Sequence, residues 1–455
     1  MRNADLDIVS EIFQKAFAAL WLSFCPNLTN VLNTESRILV FRHSVFRMQL
    51  ASLHDGGIVD NAMRLYDIPR ETAFEHASDR ILLSDRVQDL RQPIAGVRFS
   101  GVNAAAYGRG IKQVWLIEVG KQIFEYPPVG TDPPPPPAGG YDESRKLFKL
   151  SQTGNYVNFN KQAQVSDDPL AVNRPGIERF YKAAGRYVGF SIINRSQIPQ
   201  DLSIMFYAVL MGRRIDYRYM QEYDGDIFTE FDNCVREFGI FVGDRCIYYN
   251  QAIHFLNADG DEIANWPTGN SNRDRRWMIM NDAATNYVTF DVPRINTIFS
   301  QGIYDVIPKS VLACGITAAD LRLIVFGTVD IDIVDLITNL NLTSTLGRDH
   351  EFAPNSREIE WLRRYLRSAG QRKVAKFLEF AEGVRRAPPG GFREAPIYVK
   401  KFLTTQTGGR VTAQHSPEGH TCFRRIDIPQ VYPDYAHFET KMNIALGENV
   451  VLGIA

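Results

Sequence analysis

Near its C-terminus the chain reads Pro417-Glu418-Gly419-His420-Thr421-Cys422-Phe423-Arg424-Arg425-Ile426-Asp427-Ile428-Pro429. Pro-Glu-Gly predicts a turn, the apolar run after it a short strand, and Pro429 the end of that strand. Such an order would set one thiol at the mouth of a loop, with a histidine two residues away. Residues i and i+2 of an extended segment share a face, so His420 and Cys422 are expected to point into one cleft. That makes Cys422 a candidate nucleophile; a buried structural cysteine is the competing expectation.

The rest of the composition narrows the setting. A chain of 455 residues suits two or three units rather than one small core. Its 45% hydrophobic and 23% charged residues are ordinary for a globular protein. Lys+Arg 51 against Asp+Glu 52 leaves a net charge of −1 and no overall field to gather nucleic acid or anionic membrane. The partner is expected to be recognised by shape. The cysteines, Cys25, Cys234, Cys246, Cys314 and Cys422, show no CxxC spacing. This argues against a zinc site and a disulfide framework and favours a reducing, cytoplasmic compartment; no cofactor is expected. No run approaches the roughly 18 apolar residues of a membrane span, so no transmembrane segment is expected. Asp5, Asp7, Glu11 and Lys15 before the run Phe17–Cys25 are wrong for a signal peptide.

Along the chain, Ile8, Ile12, Ala16, Leu20 and Phe24 recur every four residues and predict an amphipathic helix. Arg37–Phe41 reads as a strand, followed by a mostly helical stretch to about Asp89. Val97-Arg98-Phe99 reads as another strand, and Ile111, Trp115, Val119 and Ile123 as a helix. Pro133–Pro137 form a polyproline spacer or surface loop. Leu147–Phe159 reads as strand, Ile177–Ile193 and Leu202–Met211 as buried helices, the second closed by Gly212. From Phe238 to Phe290 aromatic and β-branched residues alternate with Gly, Asn and Asp, which predicts a small mixed sub-domain. Ile307–Leu336 returns to helix. Asn339–Gly347 is polar and aperiodic and reads as a linker. Beyond it, Asn355 with Glu358 predicts a capping box. Helices follow through Ile359, Leu362 and Leu366 and through Val374, Phe377 and Leu378, and Asp434 is placed to cap a last one.

Three stretches now resemble the HECT domain of ubiquitin ligases. Lys376-Phe377-Leu378-Glu379-Phe380 with Gly383, Arg386, Pro388 and Gly390-Gly391-Phe392 resembles "LQFxTGxxRxPxGGF". Pro417–Pro429 resembles "LPxxHTCFNxLDLP", and Tyr435–Leu446 resembles the family's terminal helix. Gly185-Arg186-Tyr187-Val188-Gly189, Phe206-Tyr207, Leu210-Met211-Gly212, and Ile307–Asp332 extend the likeness backward to about residue 36. Departures are visible. The family's glutamate before tryptophan is Val114, its acidic loop is Val102-Asn103-Ala104-Ala105-Ala106, and its asparagine after Cys-Phe is Arg424. The tail carries Leu452 and ends in Ala455.

The resemblance implies an α+β, bilobal architecture. Its parts are an N-terminal helical extension (1–35), a large, mostly helical lobe (36–338) with a conjugating-enzyme-binding sub-domain (about 213–302), a hinge (339–347) and a smaller α/β lobe (348–455). It implies three partners: ubiquitin, a ubiquitin-conjugating enzyme and a protein substrate. Cys422 would take ubiquitin as a thioester and pass it to a lysine. His420 would stand by the sulfur, Thr421 and the N–H groups near Phe423 would serve the oxyanion, and Asp427 would hold the loop or act as base. The base for lysine stays open among Asp427, Asp434, Glu448 and the terminal carboxylate. Phe241, Tyr248, Tyr249 and Trp266 are candidates for the conjugating-enzyme groove, with a core role as the alternative. A silent scaffold that binds ubiquitin or its conjugating enzyme is the competing function; a cysteine hydrolase using His415, His420 or His437 is a third.

Overall fold

Ile38, Phe41, Val45 and Met48 recur at the spacing of one helix face, and in the computed structural model they lie on α1 (Thr34–Asp55) and pack into a core. The structure describes residues 32–55, 63–68, 73–77, 82, 90–91, 94–99, 109–125, 146–150, 156–160, 174–213, 215–236, 240–242, 245–248, 251–254, 273–291, 293–312, 315–344, 347–403 and 409–447. The strand expected over Arg37–Phe41 is therefore helix. Four apolar residues in a row fit either period, and one-sided burial selects the helical one. The helix expected at 8–24 and the prolines at 133–137 lie outside the described residues.

β1 (Met63–Ile68) and β2 (Ile94–Phe99) pair in parallel, with α2 (Ala73–Ala77) between them in sequence, so part of the stretch expected to be helical is strand. α3 (Arg109–Glu125) buries Trp115, Val119 and Ile123, as their spacing predicts. β3 (Phe148–Leu150) and β4 (Val157–Phe159) form an antiparallel pair. α4 (Arg174–Ile193) is followed by α5 (Ile204–Leu210), which ends at Gly212 with φ +64°. α6 (Met220–Tyr223) and α7 (Gly225–Val235) lead to the antiparallel β5 (Ile240–Val242), β6 (Arg245–Tyr248) and β7 (Gln251–His254). α8 (Arg273–Asp291) and α9 (Pro293–Val306) close the large core. Gly185 and Gly302 let α4 and α9 touch backbone to backbone; a Cβ on either would strike the other helix.

The helical stretch expected from Ile307 to Leu336 is broken into α10 (Lys309–Leu312), α11 (Ala318–Phe326) and α12 (Ile333–Thr338). Gly315 and Gly327 break it, each at positive φ (+72° and +86°), which a continuous helix cannot contain. α13 (Arg357–Ser368), α14 (Gln371–Glu382) and α15 (Gly391–Glu394) follow. Next come β8 (Tyr398–Phe402), β9 (Glu418–His420), β10 (Arg425–Pro429) and α16 (Tyr435–Gly447). The expected capping box is not formed: Ser356 precedes α13 and Glu358 is buried inside it. Asp434 does cap α16, accepting the His437 N–H at 2.8 Å.

Two hydrophobic cores result, one from Ile38 to Val325 and one from Ile331 to Ala445. The fold is α+β and bilobal. The break between cores lies upstream of 339–347, because Ile331, Leu336 and Ile337 pack into the second core. Asn341 even joins the second lobe's sheet, donating to Ile397 O and accepting from Val399 N, both at 2.8 Å. At the seam, Arg386 donates to Ile198 O (2.6 Å) and Pro199 O (3.2 Å), and Gln197 donates to Ala387 O (3.0 Å).

Candidate active site

β10 is the centre of a three-stranded sheet, parallel to β8 and antiparallel to β9. The Pro-Glu-Gly segment expected as a turn is instead the start of β9. Gly419 is needed there because a Cβ would overlap the Phe380 carbonyl on α14. The chain reverses afterwards, through Thr421–Phe423 as one 3-10 turn and Arg424 at φ +51°, ψ +47°. That left-handed residue is strained for arginine by roughly 1–2 kcal/mol. Because residues 421–423 are not extended, the shared face expected for His420 and Cys422 does not follow. The side chain of Cys422 lies outside the described residues.

The two-residue period of the hairpin gathers a polar face. In register, Arg425 opposes His420 and Asp427 opposes Glu418, so all four stand on one side while Ile426 enters the core. Asp427 is the hub. Arg425 Nη2 donates to its Oδ2 at 3.0 Å, Arg425 Nε lies 2.9 Å from Oδ1, and His420 Nε2 lies 3.1 Å from Oδ2. His420 Nε2 makes no aligned hydrogen bond among the described residues. Glu418 stands 4.0 Å from the same imidazole nitrogen, and burial raises its carboxyl. Lys400 faces Asp427 from β8; burial, then the Arg425 charge, lowers its ammonium. Thr421 is buried, whereas the Phe423 ring is 57% exposed with the Arg425 guanidinium 5.5 Å from its centre.

The turn is wedged between the lobes. At Gly383, just after α14, a Cβ would stand 3.0 Å from Ile117 Cδ1 on α3 and 3.8 Å from Thr421 Cβ. A helix of the first lobe thus closes over the turn that belongs to the second.

The model of the HECT domain (ubiquitin-transferase) matches residues 140–454. The chain belongs to the HECT family. It is 22% identical over 435 residues to the human E3 ubiquitin-protein ligase NEDD4, covering 92% of this chain and 29% of that protein. It is 24% identical over 433 residues to mouse E3 ubiquitin-protein ligase HUWE1, covering 90% of this chain and 9% of that one. A TOM1-like E3 ubiquitin-protein ligase of Neurospora crassa is 23% identical over 384 residues, with 82% and 8% covered. The chain thus spans less than a third of the length of these relatives.

Within this HECT domain His420, Thr421, Phe423 and Asp427 come together around the turn that carries Cys422. Phe241 and Tyr248 lie on β5 and β6 of the first lobe, with side chains outside the described residues; Tyr249 and Trp266 lie outside them altogether. Arg425 and Glu382 were missed. Alternation along Arg425-Ile426-Asp427 could have disclosed the first. Nothing local signals the second. Among the described residues no helix is long and apolar enough to cross a membrane.

Proposed function

We propose that Cys422 accepts ubiquitin from a ubiquitin-conjugating enzyme as a thioester and passes it to a substrate lysine. What supports this most is the four-residue connection 421–424. It holds the family's His-Thr-Cys-Phe sequence at the seam of the lobes, beside the His420–Asp427 pair. The Cys422 thiolate attacks the carbonyl carbon of the incoming thioester. The tetrahedral oxyanion collapses, the bond to the conjugating enzyme's sulfur breaks, and that sulfur leaves as thiolate and takes a proton. A lysine amine then attacks the new ester, Cys422 leaves, and the amine proton passes to a base.

The first step trades one thioester for another and is nearly isoenergetic, so positioning supplies most of the rate. A free thiol at about 8.5 keeps a few per cent thiolate at neutral pH, enough for a competent nucleophile. His420, 3.1 Å from the Asp427 carboxylate, is the candidate donor for the thiolate; a modest shift suffices, because an over-stabilised thiolate attacks more slowly. Thr421 and the N–H groups of Cys422 and Phe423 serve the oxyanion, and the exposed Phe423 offers the tail an apolar edge. The conjugating enzyme docks on the first lobe, where Phe241, Tyr248, Tyr249 and Trp266 are candidate contacts. The lobes rock about the stretch between their cores, 326–330. A reducing cytoplasm suits a free nucleophilic thiol.

The test is incubation with a charged conjugating enzyme. A reducible ubiquitin adduct should form and vanish in Cys422→Ala. A scaffold reading is favoured by Val114, buried at the position of the family's glutamate; it predicts neither adduct nor release of free ubiquitin. A hydrolase would release free ubiquitin.

A further inference from the structure

The chain leaves the 421–423 turn through Arg424 in the left-handed conformation, which suits glycine and asparagine. Asparagine is what the family pattern has there. Arginine has no such local preference, so another interaction has to hold the turn. The Arg424 guanidinium is ion-paired with Glu382, the last residue of α14.

Glu382 is a costly place for a carboxylate. Its side chain is 5% exposed, its Oε1 has no hydrogen-bond partner among the described residues, and the last carbonyls of α14 oppose negative charge. The family pattern "LQFxTG" has threonine at this position. Both members of the pair are therefore departures from the pattern, and they meet in space. Each alone is unfavourable: an arginine in a left-handed turn, an acid in a buried helix end. Together they neutralise each other's charge, although Arg424 Nε and Nη2 and Glu382 Oε1 make no aligned hydrogen bond among the described residues.

We propose that the Glu382–Arg424 ion pair is a positioning clasp that holds the Cys422 turn against the end of α14. This rests on the thioester reading above. The charged groups that face Glu382 are Arg424, from the turn, and Arg386, from the segment after α14; behind Arg386 stand Asp201, Tyr207 and Tyr187 of the first lobe. Burial pushes Glu382 up to about 7, with Arg424 and then Arg386 opposing it. The clasp reaches the first lobe as well, because Gly383 beside it touches the Ile117 side chain of α3.

The test is single-turnover transfer of ubiquitin from a charged conjugating enzyme to Cys422 between about pH 6 and 8.5. Four proteins are compared: native, Glu382→Gln, Arg424→Asn, and the double variant Glu382→Thr with Arg424→Asn. Backbone hydrogen exchange at 421–425 is measured in the same samples at pH 8, and circular dichroism checks folding. Each single variant should slow transfer about three- to tenfold at pH 8 and lose amide protection, since small misplacement of a nucleophile costs rate. The double variant, carrying the pattern's own residues, should regain rate and protection. A double variant no better than the singles, or singles that match native in rate and exchange, overturns the clasp. If the native chain forms no adduct while the exchange pattern appears as expected, the thioester reading falls and the clasp stands. If adducts form and exchange is indifferent to all three variants, the clasp alone falls.

Discussion

Replacing Glu382 with glutamine should remove a pH dependence from the stability of the second lobe. Burial holds this carboxyl at about 7, against an ordinary 4.5. The folded chain therefore keeps a proton that the unfolded chain has released. The group stabilises the fold at low pH, and that contribution is lost as pH rises through 7. Linkage between the two values gives roughly 2–3 kcal/mol lost between pH 5 and pH 8, at ~1.36 kcal/mol for each tenfold step in proton affinity. Glutamine keeps the shape and carries no charge. The unfolding free energy of Glu382→Gln minus that of the native chain should thus climb by roughly 2–3 kcal/mol over this interval. Urea unfolding at four pH values, followed by circular dichroism, supplies the difference, and the other titrating groups cancel in it. A difference flat to within about 0.5 kcal/mol would refute the burial argument, given extrapolation errors of roughly 10–15%. A falling difference would mean that the Arg424 pair outweighs burial.

Gly419→Ala should destabilise the second lobe by about 1–3 kcal/mol, read as a lower Tm, because the new methyl overlaps the Phe380 carbonyl oxygen. Asp427→Asn removes the charge that gathers Arg425 and His420, so thioester formation should slow about tenfold, with the fold intact by circular dichroism. His420→Gln should slow the same rate; an unchanged rate would leave the imidazole a purely structural role. Asn341→Pro removes the N–H that donates to Ile397 O and should cost about 3 kcal/mol in urea unfolding. If 341 were free linker, the substitution would be silent.

Much of this chain is legible locally. The spacing of Trp115, Val119 and Ile123, the cap at Asp434, and the stop at Gly212 depend on neighbours within one or two turns, and the structure agrees with each. Readings failed where a local pattern fits two periods or where a distant contact decides. Ile38-Leu39-Val40-Phe41 suits strand or helix until the core selects a side. Pro417-Glu418-Gly419 has turn composition, yet Gly419 is there for close passage over Phe380, and β10 draws the segment into a strand. Asn339–Gly347 is polar and aperiodic, yet Asn341 bonds to Ile397 and Val399 of a strand far along the chain.

Residue order along the chain was enough to single out the stretch 420–423, the two-lobed α+β plan and the family, because those rest on short-range periodicity and on runs of adjacent residues. Only folding in three dimensions brought Glu382 to Arg424, set His420 against Asp427, laid Ile117 of one lobe over the turn of the other, and moved the break between cores upstream of the polar stretch. Those pairings join residues that no local spacing relates, and their energies depend on burial, which arises only when distant segments exclude water together.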